Sequence, residues 1–208
     1  MTTRIGAIVW IIGAAQFFLL HVIVERAWAR PYSWLHNNIS DLGNVTCATP
    51  PDGRYICSPL HDWMNASFVA GGICILLGAA LTAAIVAVGK RGNVGAALLA
   101  ITGAAWVLVG VFPADVDENL HVLGAVIIFG CGNAGLVLLG LARSALGVAR
   151  PVAVVLGIAG FVAAFLHFGG VYLGLGMGGM ERVTAFALPL WLLLAGGELV
   201  GKRARTAQ

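Results

Sequence analysis

The sequence predicts an all-α fold, an integral membrane six-helix bundle with a disulfide-bearing outer loop between helices one and two. The first observation is composition, because 60% of the residues are hydrophobic and only 10% are charged, against about a quarter in an average soluble domain. The second is that six apolar runs each reach the roughly 20 residues that a helix needs to cross hydrocarbon. The third is that basic residues concentrate in alternate connections, as the positive-inside rule expects.

The six runs fill the chain, which leaves no room for a soluble domain. We therefore expect a single transmembrane domain over residues 1–208. The predicted helices cover about residues 5–24, 63–88, 94–112, 120–142, 151–173 and 183–201.

The lengths of the apolar runs and their small residues predict the first three helices. The first run is longer than the 7–15-residue core of a secretory signal, and Glu25 and Arg26 would sit beside the cut, so a retained helix is expected. The second run carries Gly71 and Gly78, and small residues let helices approach closely in lipid. The third run is similar and stops before Pro113, which cannot continue a helix.

The last three helices are marked mainly at their ends. Acidic residues at positions 115, 117 and 118 precede the fourth run, where negative charge suits the N-terminal end of a helix. The fifth run starts at Pro151, which is favoured in a first helical turn. A glycine-rich connection at residues 169–180 is expected to be flexible, and Glu181 and Arg182 then open the sixth run.

The basic residues predict the orientation. Eight of the twelve Lys and Arg residues fall on one side of a six-helix topology, namely Arg4, Lys90, Arg91, Arg143, Arg150, Lys202, Arg203 and Arg205. Positive charge marks the cytoplasmic side, so both termini are expected in the cytoplasm. The net charge of +3 then reflects loop ends that favour anionic lipid rather than a nucleic-acid surface.

The long connection between helices one and two contains two of the four cysteines, Cys47 and Cys57. On the outer, oxidising side a disulfide between them can persist. It would stabilise the fold by roughly 2.7 kcal/mol in the chain-entropy model. A zinc-binding pair is the alternative, but ten-residue spacing is unusual for metal ligands.

Polar residues collect near the outer face, where all five histidines are predicted: His21, His36, His61, His121 and His167. The candidate catalytic residues are His61, Asp62, Asn65, Asp115 and His121, which could act as general acid and base. The candidate metal ligands are His61, His121, His167 and His21. Three imidazoles with a carboxylate could hold a divalent metal such as zinc and leave one position open for water. Helix-capping acids and interfacial histidines bonded to loop backbone would give the same sequence.

Several motifs resemble a known family. They are the segment NISDLG at residues 38–43, the loop ending CSPLH at 57–61 with NASF at 65–68, the stretch from FPAD at 112–115 to His121, and GGMER at 178–182. Together they resemble the bacterial multi-pass membrane family called domain of unknown function 998. The resemblance implies a six-helix bacterial inner-membrane protein and no particular reaction. The residues that match its motifs are Ser40, Asp41, His61, Asn65, Asp115, His121, Glu181 and Arg182. Of these, Ser40, Asp41, Glu181 and Arg182 are candidate binding residues.

Three classes of function remain open. The first is a membrane hydrolase or transferase acting on a lipid or prenyl-type substrate. The second is a protein that binds, carries or senses a small hydrophobic or lipid-like ligand, in which histidine could report pH. The third is a scaffold without catalysis. No HExxH, GxSxG, phosphate-binding loop or nucleotide fingerprint occurs in the sequence to favour catalysis.

Overall fold

A computed structural model describes residues 1–51 and 53–205, with side chains as far as residue 202. The side chains of Arg203 and Arg205, counted above for orientation, lie outside the described residues. Within the described part, six helical segments are long and apolar enough to cross a membrane, which confirms the predicted all-α bundle. The helices are α1 Thr2–Arg26, α2 His61–Val86, α3 Gly89–Val111, α4 Glu118–Ile127, α5 Asn133–Leu141, α6 Ala149–Phe168, α7 Gly176–Ala185 and α8 Ala187–Arg205.

The six spans form a closed ring in chain order. Each span contacts its neighbours in sequence, and α8 of the last span returns to α1. The connections at residues 86–89 and 142–148 meet at one end, where the Ala145 amide donates to the Ile85 carbonyl at 3.1 Å. We call this end the terminal face, since the described chain begins and ends there. The opposite end carries the long loop, residues 27–60, and we call it the loop face.

Small residues bring the helices close together, and aromatic rings fill the centre. A Cβ atom on Gly78 would lie 2.2 Å from the Trp10 ring, and one on Gly72 would lie 2.5 Å from the Gly103 carbonyl oxygen. Phe17 packs edge-on against Trp106, with 4.9 Å between ring centroids. Close backbone approach is how helices associate in lipid, where no hydrophobic force drives them together.

The sixth span differs from the predicted helix at 183–201, because it begins with α7 at Gly176 and is broken in two. Gly176 has a φ of +69°, and a Cβ there would lie 2.1 Å from the Leu35 carbonyl oxygen. The expected flexible connection is therefore partly helical, and its glycines allow contact with the long loop. Pro189 explains the break after Ala185, because a proline cannot donate to the carbonyl four residues earlier and clashes with it.

Other helix ends are set by side chains and glycines. Asp117 accepts a hydrogen bond from the Leu120 amide at 3.0 Å, a typical N-cap. Glu198 accepts from the Ala149 amide at 2.8 Å, which satisfies the start of α6. The fifth span ends at Phe168 rather than near residue 173, and Gly170 follows it with a φ of +70°.

The fourth span contains a π-helical segment, Ile128–Gly132, between α4 and α5. Asn133 follows it, and its side-chain amide donates to the Phe129 carbonyl at 2.8 Å and to the Thr184 hydroxyl at 2.9 Å. Such segments are rare and often occur at functional sites. Here the segment places Ile128 and Phe129 at the wall of an internal cavity.

Candidate functional site

The long loop is folded against the loop face instead of projecting from it. The predicted disulfide joins Cys47 and Cys57, and the backbones of Ala48 and Ile56 pair beside it. Ile39 and Leu42 are 3% and 0% exposed, which shows that the middle of the loop enters the hydrophobic core. Loop residues can therefore form walls of sites inside the bundle.

Arg182 in α7 is the main anchor of the loop. Its side chain is buried, and Nη1 donates to the Asn37 carbonyl at 2.9 Å and to the Gly178 carbonyl at 2.7 Å. Nη2 donates to the Tyr32 hydroxyl, and the guanidinium lies 4.7 Å from the centre of the Trp34 ring. A guanidinium has five N–H donors in a fixed plane, so a single side chain can hold several loop groups at once.

Tyr32 connects the anchor to the next turn of the loop. Its hydroxyl donates to the Asn38 carbonyl at 2.7 Å. Burial raises the pKa of the Tyr32 phenol well above its usual value, so the phenol stays neutral and keeps its proton for this hydrogen bond. Asp41 then accepts from the Asn38 amide at 3.0 Å and from Arg54 at 2.5 Å.

Glu181 holds a different part of the loop. Its carboxylate accepts a hydrogen bond from the Ile39 amide at 2.6 Å and is buried. Because successive residues of a helix point about 100° apart, Glu181 and Arg182 face different sides of α7. The two adjacent charged residues therefore hold two neighbouring segments of the loop.

An inner cavity of about 40 Å³ lies beneath the loop. Its polar lining residues include Ser40, His121 and Glu181, which are three of the residues predicted from the sequence. The aromatic lining residues are Phe17, Phe68, Trp106 and Phe129. His121 is fixed by a contact of 2.8 Å between Nδ1 and the Phe112 carbonyl oxygen. The structure thus brings together predicted residues from the loop, α4 and α7.

A side groove of about 620 Å³ lies on the other side of α7. The loop contributes Trp34 and Leu35, and α6 contributes Leu156 and Ala159. Arg182 also lines it, and the remaining lining residues are apolar or glycine: Gly174, Leu175, Gly179, Val183, Phe186, Ala187 and Leu190. This groove is the larger of the two sites and is open on one side.

Three candidate catalytic residues brace the loop, a fourth contacts one of them, and none of the four lines either site. His61 Nδ1 lies 2.9 Å from the Ser58 carbonyl oxygen, and the exposed Asp62 carboxylate lies 3.4 Å from His61 Nε2. The Asn65 amide donates to the Gly43 carbonyl at 2.9 Å. Asp115 accepts from the Thr46 amide at 2.7 Å. Polar side chains that the sequence indicated as candidate catalytic residues therefore form hydrogen bonds with the loop backbone.

The four candidate histidine ligands do not converge. His21 is 1% exposed, and its Nε2 lies 3.5 Å from Arg182 Nη2. His167 packs among aromatic rings, with 6.2 Å between the centroids of its ring and the Phe129 ring. His61 and His121 are each turned to a different carbonyl, as described above. Over residues 1–51 and 53–205, no three His, Cys, Asp or Glu side chains are grouped so that they could hold a metal ion. Histidines at a common depth are therefore distributed around the bundle.

The contribution of Asp115 to the stability of the docked loop depends on pH in the acid range. Burial opposes its ionisation, but hydrogen bonds from Thr46 and Val45 outweigh this and hold the pKa of the carboxyl below its usual value. Its stabilising contribution is thus complete above the ordinary Asp pKa of about 3.9 and is lost as the pH falls through the lower folded-state pKa.

We expect Asp115→Asn to lower the thermal midpoint modestly at pH 7, and the difference from the wild type to shrink below about pH 4. Unfolding of the purified protein between pH 3 and 7 measures this. Glu118→Gln, at an exposed acid of the same face, is the control and should lack this pH dependence. A constant difference for Asp115→Asn at every pH would contradict the role of its ionised form.

Several residues of the site were not predicted from the sequence. Asn37 acts through its backbone carbonyl, Trp34 through its ring face and Tyr32 through its hydroxyl, and these groups leave no motif. The aromatic residues of the cavity look like ordinary core residues in an apolar chain. The pair Glu181 and Arg182 was a usable signal for this part of the site, because adjacent opposite charges next to an apolar run require local partners.

The fold and these sites define a class of protein, a six-span membrane bundle whose first long loop is docked onto one end and forms walls of two sites. The chain matches the profile of a family described as "Protein of unknown function (DUF998)" over residues 11–197. It belongs to that family. Searches of curated proteins and of solved structures gave no match.

Proposed function

We propose that this protein binds a lipid-like molecule of a bacterial inner membrane, with the apolar chain of the ligand lying in the side groove. The observation that carries the proposal is the groove itself, about 620 Å³ with apolar walls and one charged lining residue, Arg182. Ligand pockets commonly measure about 300–1,000 Å³ and combine apolar walls with a few polar groups. The volume and the lining both suit an amphiphile.

Arg182 supports a polar end on this ligand. It is 5% exposed, and its Nε–H has no hydrogen-bond partner among the residues that the structure describes. A buried donor without an acceptor costs about 1–3 kcal/mol. Arg182 also lines the groove, and an ester or phosphate oxygen of a lipid is an acceptor for a guanidinium group. The ligand would then place its chain along α6 and its polar end next to α7.

Binding is favoured over catalysis by the composition of the groove. None of the five candidate catalytic residues lines it. An acid, a base or a nucleophile must lie within hydrogen-bond reach of the reacting atoms, and the groove walls provide none. A hydrolase or transferase acting on a lipid in this groove is therefore not proposed.

Ala159→Trp tests the groove, because the indole would occupy space between α6 and the loop. If it excludes two methylene groups at about 0.8 kcal/mol each, lipid affinity should fall roughly tenfold. Native mass spectrometry of the purified protein, titrated with a bacterial phosphatidylglycerol, measures the bound fraction. Ala104→Trp is the matched control, since Ala104 is an exposed alanine of α3 outside the groove. Equal lipid binding by both variants and the wild type would contradict the proposal.

The proposed orientation places both termini in the cytoplasm and the loop face outside. Its support is the excess of basic residues predicted for the terminal face, together with a disulfide at the loop face, which an oxidising compartment preserves. A membrane-impermeant thiol reagent applied to intact cells should label Val116→Cys and leave Lys90→Cys unlabelled. Both positions are exposed. Labelling of position 90 alone would reverse the orientation.

A further inference from the structure

We propose that the inner cavity binds a primary ammonium group, held by Glu181, His121 and Ser40 and lined by aromatic rings. This site is separate from the side groove, because the groove involves Arg182 and the opposite side of α7. It is a second site, with a different class of ligand, and it does not depend on lipid binding in the groove.

Glu181 supplies the carboxyl group. Its one hydrogen bond among the described contacts comes from the Ile39 amide. The adjacent Arg182 directs its guanidinium to the Asn37 and Gly178 carbonyls. In the described part of the chain no Lys, Arg or His side chain forms an ion pair with Glu181. Arg182 and Arg54 act on the Glu181 carboxyl group only from beyond ion-pair distance, so the cavity beside it has room for a cation in direct contact.

His121 supplies an acceptor. Its Nδ1 lies 2.8 Å from the Phe112 carbonyl oxygen, and a carbonyl oxygen can only accept, so Nδ1 carries the proton. In a neutral imidazole the other nitrogen, Nε2, is then an acceptor. The Ser40 hydroxyl, which also lines the cavity, can accept as well. The three residues line one cavity, and together they offer as many acceptor groups as a primary ammonium group has N–H donors.

The walls and the volume suit the same ligand. Phe17, Phe68, Trp106 and Phe129 line the cavity, and aromatic faces attract cations, with tryptophan the strongest. A water molecule needs about 10–15 Å³ of such space, so about 40 Å³ has room for an ammonium nitrogen and one or two carbons. Calcium and magnesium prefer six or more oxygen ligands, whereas the cavity provides one carboxylate.

Methylammonium chloride is the probe, used with the purified full-length protein in detergent. We expect a saturable rise of the thermal midpoint and a saturable change in tryptophan fluorescence, the latter reduced in Trp106→Phe. Glu181→Gln should weaken binding at least about tenfold, because hydrogen bonds to charged groups contribute the most. Ser40→Ala should weaken it less. Glu118→Gln, an exposed acid of α4, and the groove variant Ala159→Trp should bind methylammonium as the wild type does.

Three results would overturn this assignment. One is the absence of any saturable effect of methylammonium up to about 100 mM, or an effect that Glu181→Gln and Ser40→Ala leave unchanged. Another is an equal effect of tetramethylammonium, which has no N–H group and exceeds the cavity. The third is an equal, Glu181-dependent effect of potassium chloride, which would assign the cavity to an alkali cation. If Glu181→Gln does not fold, Ser40→Ala and Trp106→Phe decide the matter.

Discussion

Replacement of Arg182 by methionine is expected to lower the free energy of unfolding by about 3–5 kcal/mol, because three buried groups would each lose a hydrogen-bond donor. Methionine keeps the apolar stem of the side chain but offers no donor to the Asn37 and Gly178 carbonyls or to the Tyr32 hydroxyl. Each buried group without a partner costs about 1–3 kcal/mol. The loss should appear in denaturant unfolding of the purified protein.

Two further variants serve as controls for this substitution. Arg182→Lys keeps the positive charge but not the planar set of donors, so we expect an intermediate loss of stability. Arg91→Met removes an exposed arginine at the terminal face and should change stability by less than about 0.5 kcal/mol. If Arg182→Met were as stable as Arg91→Met, the guanidinium would not anchor the loop.

Gly178→Ala is expected to destabilise the protein by about 1–3 kcal/mol, the usual cost of overpacking. A Cβ atom at this position would lie 2.1 Å from the Asn37 carbonyl oxygen and 2.8 Å from that of Trp34. Both are backbone atoms, so the loop itself would have to move away from α7. Alanine favours helix over glycine by about 1 kcal/mol, and that gain opposes part of the loss.

The matched control for this substitution is Gly197→Ala. Gly197 lies in α8 and a Cβ there would meet no atom within 4 Å, so the same change should stabilise the helix by roughly 0.5–1 kcal/mol. Thermal unfolding of the two variants side by side should therefore shift in opposite directions. A stabilising effect of Gly178→Ala would mean that the loop does not lie against α7.

The spans were predictable because a bilayer leaves few alternatives to long apolar helices. Hydropathy could not predict the start of the last span, since the turn beginning at Gly176 is rich in glycine and is ordered by its contact with the loop. The π-helical segment before Asn133 also left no signal in composition. Both features arise from tertiary contacts, which a one-dimensional pattern does not contain.

The candidate site was predicted only in part, for a related reason. Polarity near one membrane face singled out Ser40, His121 and Glu181 together with Asn65 and Asp115, but it could not separate residues that line a cavity from residues that brace a loop. The bracing residues bind backbone groups, such as the Gly43 carbonyl and the Thr46 amide. Every residue has such groups, so sequence alone cannot indicate which are bound.

Glu181 and Arg182 dock the long loop and thereby form walls of both sites. Ile39 and Ser40 line the cavity, and Glu181 accepts a hydrogen bond from the Ile39 amide. Trp34 and Leu35 line the groove next to Arg182. Loss of either anchor should therefore open one site directly and weaken the other through the shared loop. Stability and ligand binding are linked in this arrangement.

Amide hydrogen exchange at Ile39 reports whether the loop is docked, because that amide donates to the Glu181 carboxylate at 2.6 Å across the docked interface. An opening free energy of about 3 kcal/mol would slow its exchange roughly a hundredfold relative to an unstructured peptide. We predict this protection in the wild-type protein and its loss in Arg182→Met, with the amides in the middle of α3 unchanged. Exchange of the wild-type Ile39 amide at the unprotected rate would contradict the docking of the loop.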